Sequence, residues 1–168
     1  MMKKFVTLVR FFFCGIYHAR TYWFLRNIVV DNNDRTPNTL KKIMLLFLRR
    51  CDAKYCGSIA TYVGGGATFA EPPYFVHELS GCYIAPNAKI GRNCVIFQNV
   101  TIGIKSLNDI ERKAPIIGDN VTIGAGACII GGVCVGNNVN IGANAVVIDD
   151  VPDNTTVVLP KSRYINKE

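Results

Sequence analysis

The chain has 168 residues, 49% apolar and 18% charged, with a formal net charge of +7. That composition excludes a disordered polar chain and leaves one medium domain with a short appendage. The positive charge calls for an anionic partner, but nucleic acid lacks support because no aromatic stacking pattern or known module accompanies it.

Residues 1–56 read as a helical region. The first 16 residues superficially resemble a signal peptide, with two lysines ahead of Phe5, Val6, Leu8, Val9, Phe11, Phe12 and Phe13. Arg10 interrupts that run, which is too short to cross a bilayer, and no small-x-small cleavage site follows. The segment is therefore expected to be a helix kept in the mature protein. Thr36 and Pro37 suit the N-cap and first position of a second helix. Leu40, Ile43, Met44 and Phe47 would be its apolar stripe, with Lys41, Lys42, Arg49 and Arg50 on the remaining surface. Two amphipathic helices packed on the main domain or a neighbouring subunit come first as a reading; peripheral membrane contact through a basic, aromatic face comes second.

From residue 57 to 158 the texture changes to glycine, isoleucine, valine and asparagine. An aliphatic residue recurs every six positions at Ile84, Ile90, Ile96 and Ile102, then at Ile117, Ile123, Ile129, Val135, Ile141 and Val147. Four positions after each aliphatic comes a small or β-branched residue, as at Ala88, Cys94, Val100, Val121, Ala127 and Val139. A period of six fits neither a helix nor an alternating strand. It fits a chain that runs a short strand, turns a corner and repeats, three hexads making one triangular coil. The aliphatic residue is expected to fill the prism, the small residue to fit the corner, and Gly or Asn to supply positive φ there. Two stretches leave the repeat: an irregular loop at 71–81 carrying His77, and a polar excursion at 104–115. Residues 159–168 form a C-terminal tail.

Seven cysteines occur without a C-x-x-C pair, and Cys94, Cys128 and Cys134 fall within the repeat. They predict reduced, buried thiols in a cytoplasmic protein. His18 and His77 are the two histidines, and an imidazole beside a rigid coil is a candidate general base. His18, within an aromatic helix, reads as structural or surface-exposed. Glu71, Glu78, Asp109 and Glu111 are candidates to orient His77, and a backbone amide near Gly103 is a candidate oxyanion donor.

The hexads ending in IGDNVTIGAGACIIGGVCVGNNVNIGANAVVIDD, with VHELSGCYIAPNAKIGRNCVIFQNVTIG before them, resemble the hexapeptide-repeat acyltransferases. Within these they look like the branch of serine acetyltransferases and capsule or sugar O-acetyltransferases. The resemblance implies a mainly β fold, a left-handed parallel β-helix with a short helical N-terminal region, assembled as a homotrimer. It implies acetyl-CoA as co-substrate, no metal, His77 as catalytic base and active sites between subunits. The pantetheine arm would lie on Gly124, Ala125, Gly142 and Ala143, and the phosphates near Lys161 and Arg163. Serine acetyltransferases carry a long helical domain and a second active-site histidine, where this chain has 56 residues and Lys113–Ala114. Those departures favour a sugar hydroxyl of a capsule or related glycan as acceptor, with serine O-acetylation and sugar N-acetylation as alternatives. A zinc-dependent carbonic anhydrase of the same fold would need three histidines per site, and a non-enzymatic β-helix scaffold would leave His77 without purpose.

Overall fold

The computed structural model describes residues 14–106 and 113–160. The first 13 residues of the expected N-terminal helix, and Asp109, Glu111, Lys161 and Arg163, lie outside the described residues.

Helix α1 (Ala19–Val30) and helix α2 (Asn38–Lys54) pack against each other and against the first turns of the β region. His18 is the N-cap of α1, its Nδ1 accepting from the Thr21 N–H at 3.4 Å, so this histidine terminates a helix. Helix α2 begins one residue later than expected, with Pro37 as N-cap, extended at ψ 140°. Its buried face is also rotated from the expected stripe. Lys41, Leu45, Leu48, Cys51 and Asp52 face inward, while Leu40, Ile43 and Leu46 are exposed. Polar partners inside explain the rotation: the Lys41 Nζ donates to the Asp31 carbonyl at 2.6 Å, and the Tyr22 hydroxyl donates to Asp52 at 2.6 Å. An apolar count cannot foresee a lysine and an aspartate on the buried side. Arg26 completes this core, stacked on Trp23 and Phe69 and donating to the Thr61 hydroxyl and Ala67 carbonyl. Among the described residues no helix is long and apolar enough to cross a membrane.

A short antiparallel hairpin, β1 (Thr61–Tyr62) and β2 (Gly65–Gly66), leads into a coil with three parallel faces. The first face stacks β3 (Thr68–Phe69), β6 (Lys89–Ile90), β9 (Ile116–Ile117) and β12 (Cys134–Val135). The second stacks β4 (Tyr74–Leu79), β7 (Val95–Ile96), β10 (Thr122–Ile123), β13 (Asn140–Ile141) and β15 (Thr156–Val157). The third stacks β5 (Tyr83–Ile84), β8 (Thr101–Gly103), β11 (Cys128–Ile130) and β14 (Val146–Val147). The chain visits the faces in rotation, and the aliphatic positions align in register, as with Ile96, Ile123 and Ile141 on the second face.

Each hexad buries two side chains. The aliphatic residue and the small residue two positions before the next one are both inside, as with Ala127 and Ile129, each 0% exposed. The small residue is thus a second core position and not a corner piece. Burying each large aliphatic contributes roughly 1.5–3 kcal/mol, so these rows dominate the stability of the coil. The corner φ belongs to the third residue after the aliphatic: Asn87, Asn93, Asn99, Asn120, Asn138, Asn144 and Gly126 all have φ between 51° and 71°. The glycine right after the aliphatic serves a different need, close stacking. A Cβ on Gly118 would sit 2.6 Å from the Gly136 carbonyl oxygen.

The expected irregular loop at 71–81 is largely strand β4, whose register with β7 makes it the first rung of the second face. All seven cysteines are free, but only Cys51, Cys82 and Cys94 are buried. Cys128 and Cys134 precede an aliphatic position and so point outward, Cys134 being exposed.

Candidate active site

The edge between the second and third faces carries His77. The rows that begin with Phe75–Ile96–Ile123–Ile141 lead into a corner column of Ser80, Gln98, Ala125 and Ala143, in which Asn99 N–H donates to the Ser80 carbonyl at 2.9 Å as Gly126 N–H does to Gln98. His77 lies among the three additional residues between Phe75 and Ser80. Successive coils lie ~4.8 Å apart, which places Ala125 about 10 Å and Ala143 about 14 Å along the axis from the Ser80 corner. His77 is exposed beside the first corner of this column, its carbonyl accepting from Ser80 N–H at 3.3 Å, and is held between buried Phe75 and Leu79 on β4.

Backbone donors on this edge divide into two sets. Gly126 N–H donates to the Gln98 carbonyl and Asn144 N–H to the Ala125 carbonyl, which stacks the corners. Among the described residues, the N–H groups of Gln98, Ala125 and Ala143 donate to nothing. Gly124 and Gly142 let the corners close tightly: a Cβ on Gly124 would meet the Ala143 nitrogen at 2.6 Å. The four positions expected to hold a pantetheine arm therefore share one edge, where Gly124 and Gly142 N–H donate to the Ile141 and Val157 carbonyls and those of Ala125 and Ala143 are unpaired among the described residues. Gln98 adds a buried side-chain Oε1 with no partner among the described residues. Sequence reasoning passed over Gln98, although its place in IFQNVTIG, one coil after His77, was visible.

The other candidates separate from His77. The Glu71 carboxylate accepts from the Asn93 N–H at the neighbouring edge. Glu78 faces the Tyr55 hydroxyl, which burial and this carboxylate push up to about 12. Gly103 lies at the far end of the third face, where its carbonyl accepts from the Gly131 N–H at 2.9 Å. It borders a cleft of about 410 Å³ formed with Tyr83, Ala85, Pro86, Thr101 and Ile104. Ala114, where a second histidine was sought, is buried at the foot of the excursion, and the Lys113 side chain crosses close to Gly132.

The family model described as bacterial transferase hexapeptide (six repeats) matches residues 114–149. A serine acetyltransferase of Helicobacter pylori is 38% identical over 139 residues, covering 80% of this chain and 78% of that protein. The chain belongs to the hexapeptide-repeat transferases. Its reading as an acetyl-CoA-dependent acyltransferase holds on that membership. The chloroplastic serine acetyltransferase 1 of Arabidopsis thaliana is 38% identical over 125 residues, covering 74% of this chain and 38% of that protein. The solved serine acetyltransferase of Neisseria gonorrhoeae shares 27% identity at a TM-score of 0.65, covering 88% of this chain and 54% of that one. The chain thus spans little more than a third of the chloroplastic relative and about half of the solved chain.

These relatives overturn the expectation of a sugar hydroxyl as acceptor. They are serine acetyltransferases, and the capsule-sugar branch finds no support among them. The argument from a short helical region also fails, because the Helicobacter pylori protein, matched over 78% of its own length, is of closely similar size.

Proposed function

We propose that this chain is a serine O-acetyltransferase, moving an acetyl group from acetyl-CoA to the hydroxyl of L-serine with His77 as general base. The observation that carries this reading is the row of amide donors at Gln98, Ala125 and Ala143, unpaired among the described residues, along the edge whose first corner, Ser80, donates its N–H to the carbonyl of exposed His77. A pantetheine arm presents amide carbonyls along its length, and such a ladder of N–H groups suits it, with Gly124 and Gly142 keeping the edge free of side chains. Lys161 and Arg163 follow the last coil, where they would meet the phosphates.

In this mechanism His77 takes the proton from the serine hydroxyl as the oxygen attacks the thioester carbonyl. The tetrahedral adduct collapses, the carbon–sulfur bond breaks, and His77 returns the proton to the departing CoA thiolate. The products are O-acetylserine and CoA. Gln98 N–H, in the coil next to His77, is the donor on this chain best placed to face the developing oxyanion.

The reading includes a left-handed coil and a homotrimer with the site between subunits. Tyr83 and Val146 are exposed along the third face, as a surface that packs against a second copy would be. A neighbour there would bring its own groups toward the His77 edge, which lacks an orienting carboxylate from its own described residues. The test is a mass-spectrometric screen of acetyl transfer from acetyl-CoA to L-serine, related amino acids and a set of free sugars. O-Acetylserine as the preferred product is expected; equal or better transfer to the other acceptors overturns the serine assignment.

A further inference from the structure

The segment after Phe75 departs from the hexad rule in a way the coil itself does not need. On the coil below, Ile96 to Ile102 is six residues; on the first coil the paired positions Phe75 and Ile84 are nine apart. The three additional residues fall between Phe75 and the Ser80 corner, whose carbonyl accepts from Asn99 N–H, so His77 and Glu78 stand in a tight turn within that insertion. Ser80 N–H donates back to the His77 carbonyl at 3.3 Å, and Cys82 N–H to the Leu79 carbonyl at 3.0 Å. Two residues of the loop, Glu78 and Gly81, have positive φ, 56° and 66°. For a glutamate that conformation is strained, so something outside the loop must hold it.

The end of helix α2 supplies the hold. Gly81 N–H donates to the Tyr55 carbonyl at 2.8 Å. Gly57, two residues further on, lies so close to the Leu79 and Cys82 carbonyls that any side chain there would collide with them. The Tyr55 ring stands edge-on to Tyr17, its hydroxyl accepting from the Tyr17 N–H at 3.2 Å and facing the Glu78 carboxylate. The helical region is therefore fastened by backbone and side chain to the five residues that begin with His77.

We propose that Tyr55 and Glu78 are positioning residues for His77. The end of α2 clamps the loop in its left-handed turn and so fixes the direction of the adjacent imidazole. Glu78 does not touch the reacting atoms in this account; it acts through the turn. The proposal rests on His77 being the base, and its test has one readout that does not depend on turnover.

Three variants separate positioning from folding: Glu78→Gly, Glu78→Gln and Tyr55→Phe. Glycine suits φ 56° better than glutamate, so Glu78→Gly should melt at or above the wild-type temperature. Its kcat for acetyl transfer to L-serine should fall roughly tenfold with KM for acetyl-CoA unchanged, a tenfold change corresponding to about 1.4 kcal/mol. Tyr55→Phe should fall in the same direction, and Glu78→Gln, which keeps an acceptor for the Tyr55 hydroxyl, should stay within about twofold of wild type. Imidazole nitrogen NMR on the free protein gives the second readout; the chain has only His18 and His77, and His77→Ala assigns them. The His77 signals should shift or broaden in Glu78→Gly and Tyr55→Phe but not in Glu78→Gln. Wild-type kcat together with unchanged His77 signals in both disruptive variants overturns the proposal. Should wild type itself transfer nothing to serine, the function fails separately. The His77 signals then decide the clamp alone, changed signals supporting it and unchanged ones refuting it.

Discussion

Two edges of the same prism have nearly the same backbone and opposite chemistry. Between the first and second faces, the corner N–H groups of Arg92, Asp119 and Asn137 each donate to a side chain one coil on: Asp119 at 2.7 Å, Asn137 at 2.8 Å and Asp153 at 2.6 Å. Asn93, Asn120, Asn138 and Asn154 join their side-chain amides into a continuous ladder beside them. Between the second and third faces, the equivalent N–H groups belong to Gln98, Ala125 and Ala143 and donate to nothing among the described residues. There Gly81 and Gly126 interrupt any asparagine ladder, and Gln98 Oε1 is buried without a partner among the described residues. One edge uses its corner N–H groups and its asparagine amides to hold coils together; the other leaves a line of donors open near an exposed histidine. Local rules kept on one edge and broken on its twin locate a site more firmly than any single residue does.

The largest expected contrast comes from proline at matched corners. Asn137→Pro removes an N–H bonded to Asp153 and the oxygen that accepts from Asp119. It should cost about 2–3 kcal/mol by denaturant titration, at roughly 1–1.5 kcal/mol per bond. Ala143→Pro removes only a free N–H, at a turn closed by Ala145 N–H to Gly142 with the next residue, Asn144, at φ 58°. Proline fits that second turn position, so stability should hold within about 0.5 kcal/mol while KM for acetyl-CoA rises roughly tenfold. Equal destabilisation of both variants would break the comparison.

A change remote from both edges supplies a calibration. Burial pushes the Asp52 carboxyl up to about 6 from an ordinary 3.8, against the opposing pull of the Tyr22 hydroxyl and Arg26. The folded state then binds the proton more tightly than the unfolded one, so this group's contribution is most favourable below pH 4 and deteriorates as pH rises through 6. Asp52→Asn removes the dependence; its stability relative to wild type should improve by roughly 2–3 kcal/mol between pH 4 and pH 7, with acetyl transfer little affected. A smaller effect is expected for Asn120→Ala on the laddered edge. Its two exposed side-chain bonds, taken at the low end of about 0.5 kcal/mol each, and a left-handed backbone cost of about 1 kcal/mol sum to about 2 kcal/mol, with KM for acetyl-CoA unchanged.

The coil was legible because its physics is periodic: inward isoleucines every six residues fit a short strand, a corner and a repeat. The role of the small positions was misjudged, since Ala127 and Val139 look like corner residues until burial shows a second core row. The face of α2 was hidden because Lys41 and Asp52 are buried with partners far along the chain, Asp31 and Tyr22. The strand carrying His77 read as a loop because Pro72, Pro73 and the three additional residues after Phe75 disguise its register. The acceptor was misread because a missing histidine and a short helical region were weighed above the likeness of the whole coil, and a serine acetyltransferase relative of similar size shows that the helical region does not decide it.

The most direct test of the account is acetyl transfer from acetyl-CoA to L-serine, followed by mass spectrometry for wild type and His77→Ala at matched concentration and melting temperature. The account predicts O-acetylserine from wild type and a fall of about 10²-fold or more in the variant, the usual contribution of a general base. Undiminished transfer by a correctly folded His77→Ala protein would contradict it, because the open edge would then end at no catalytic group.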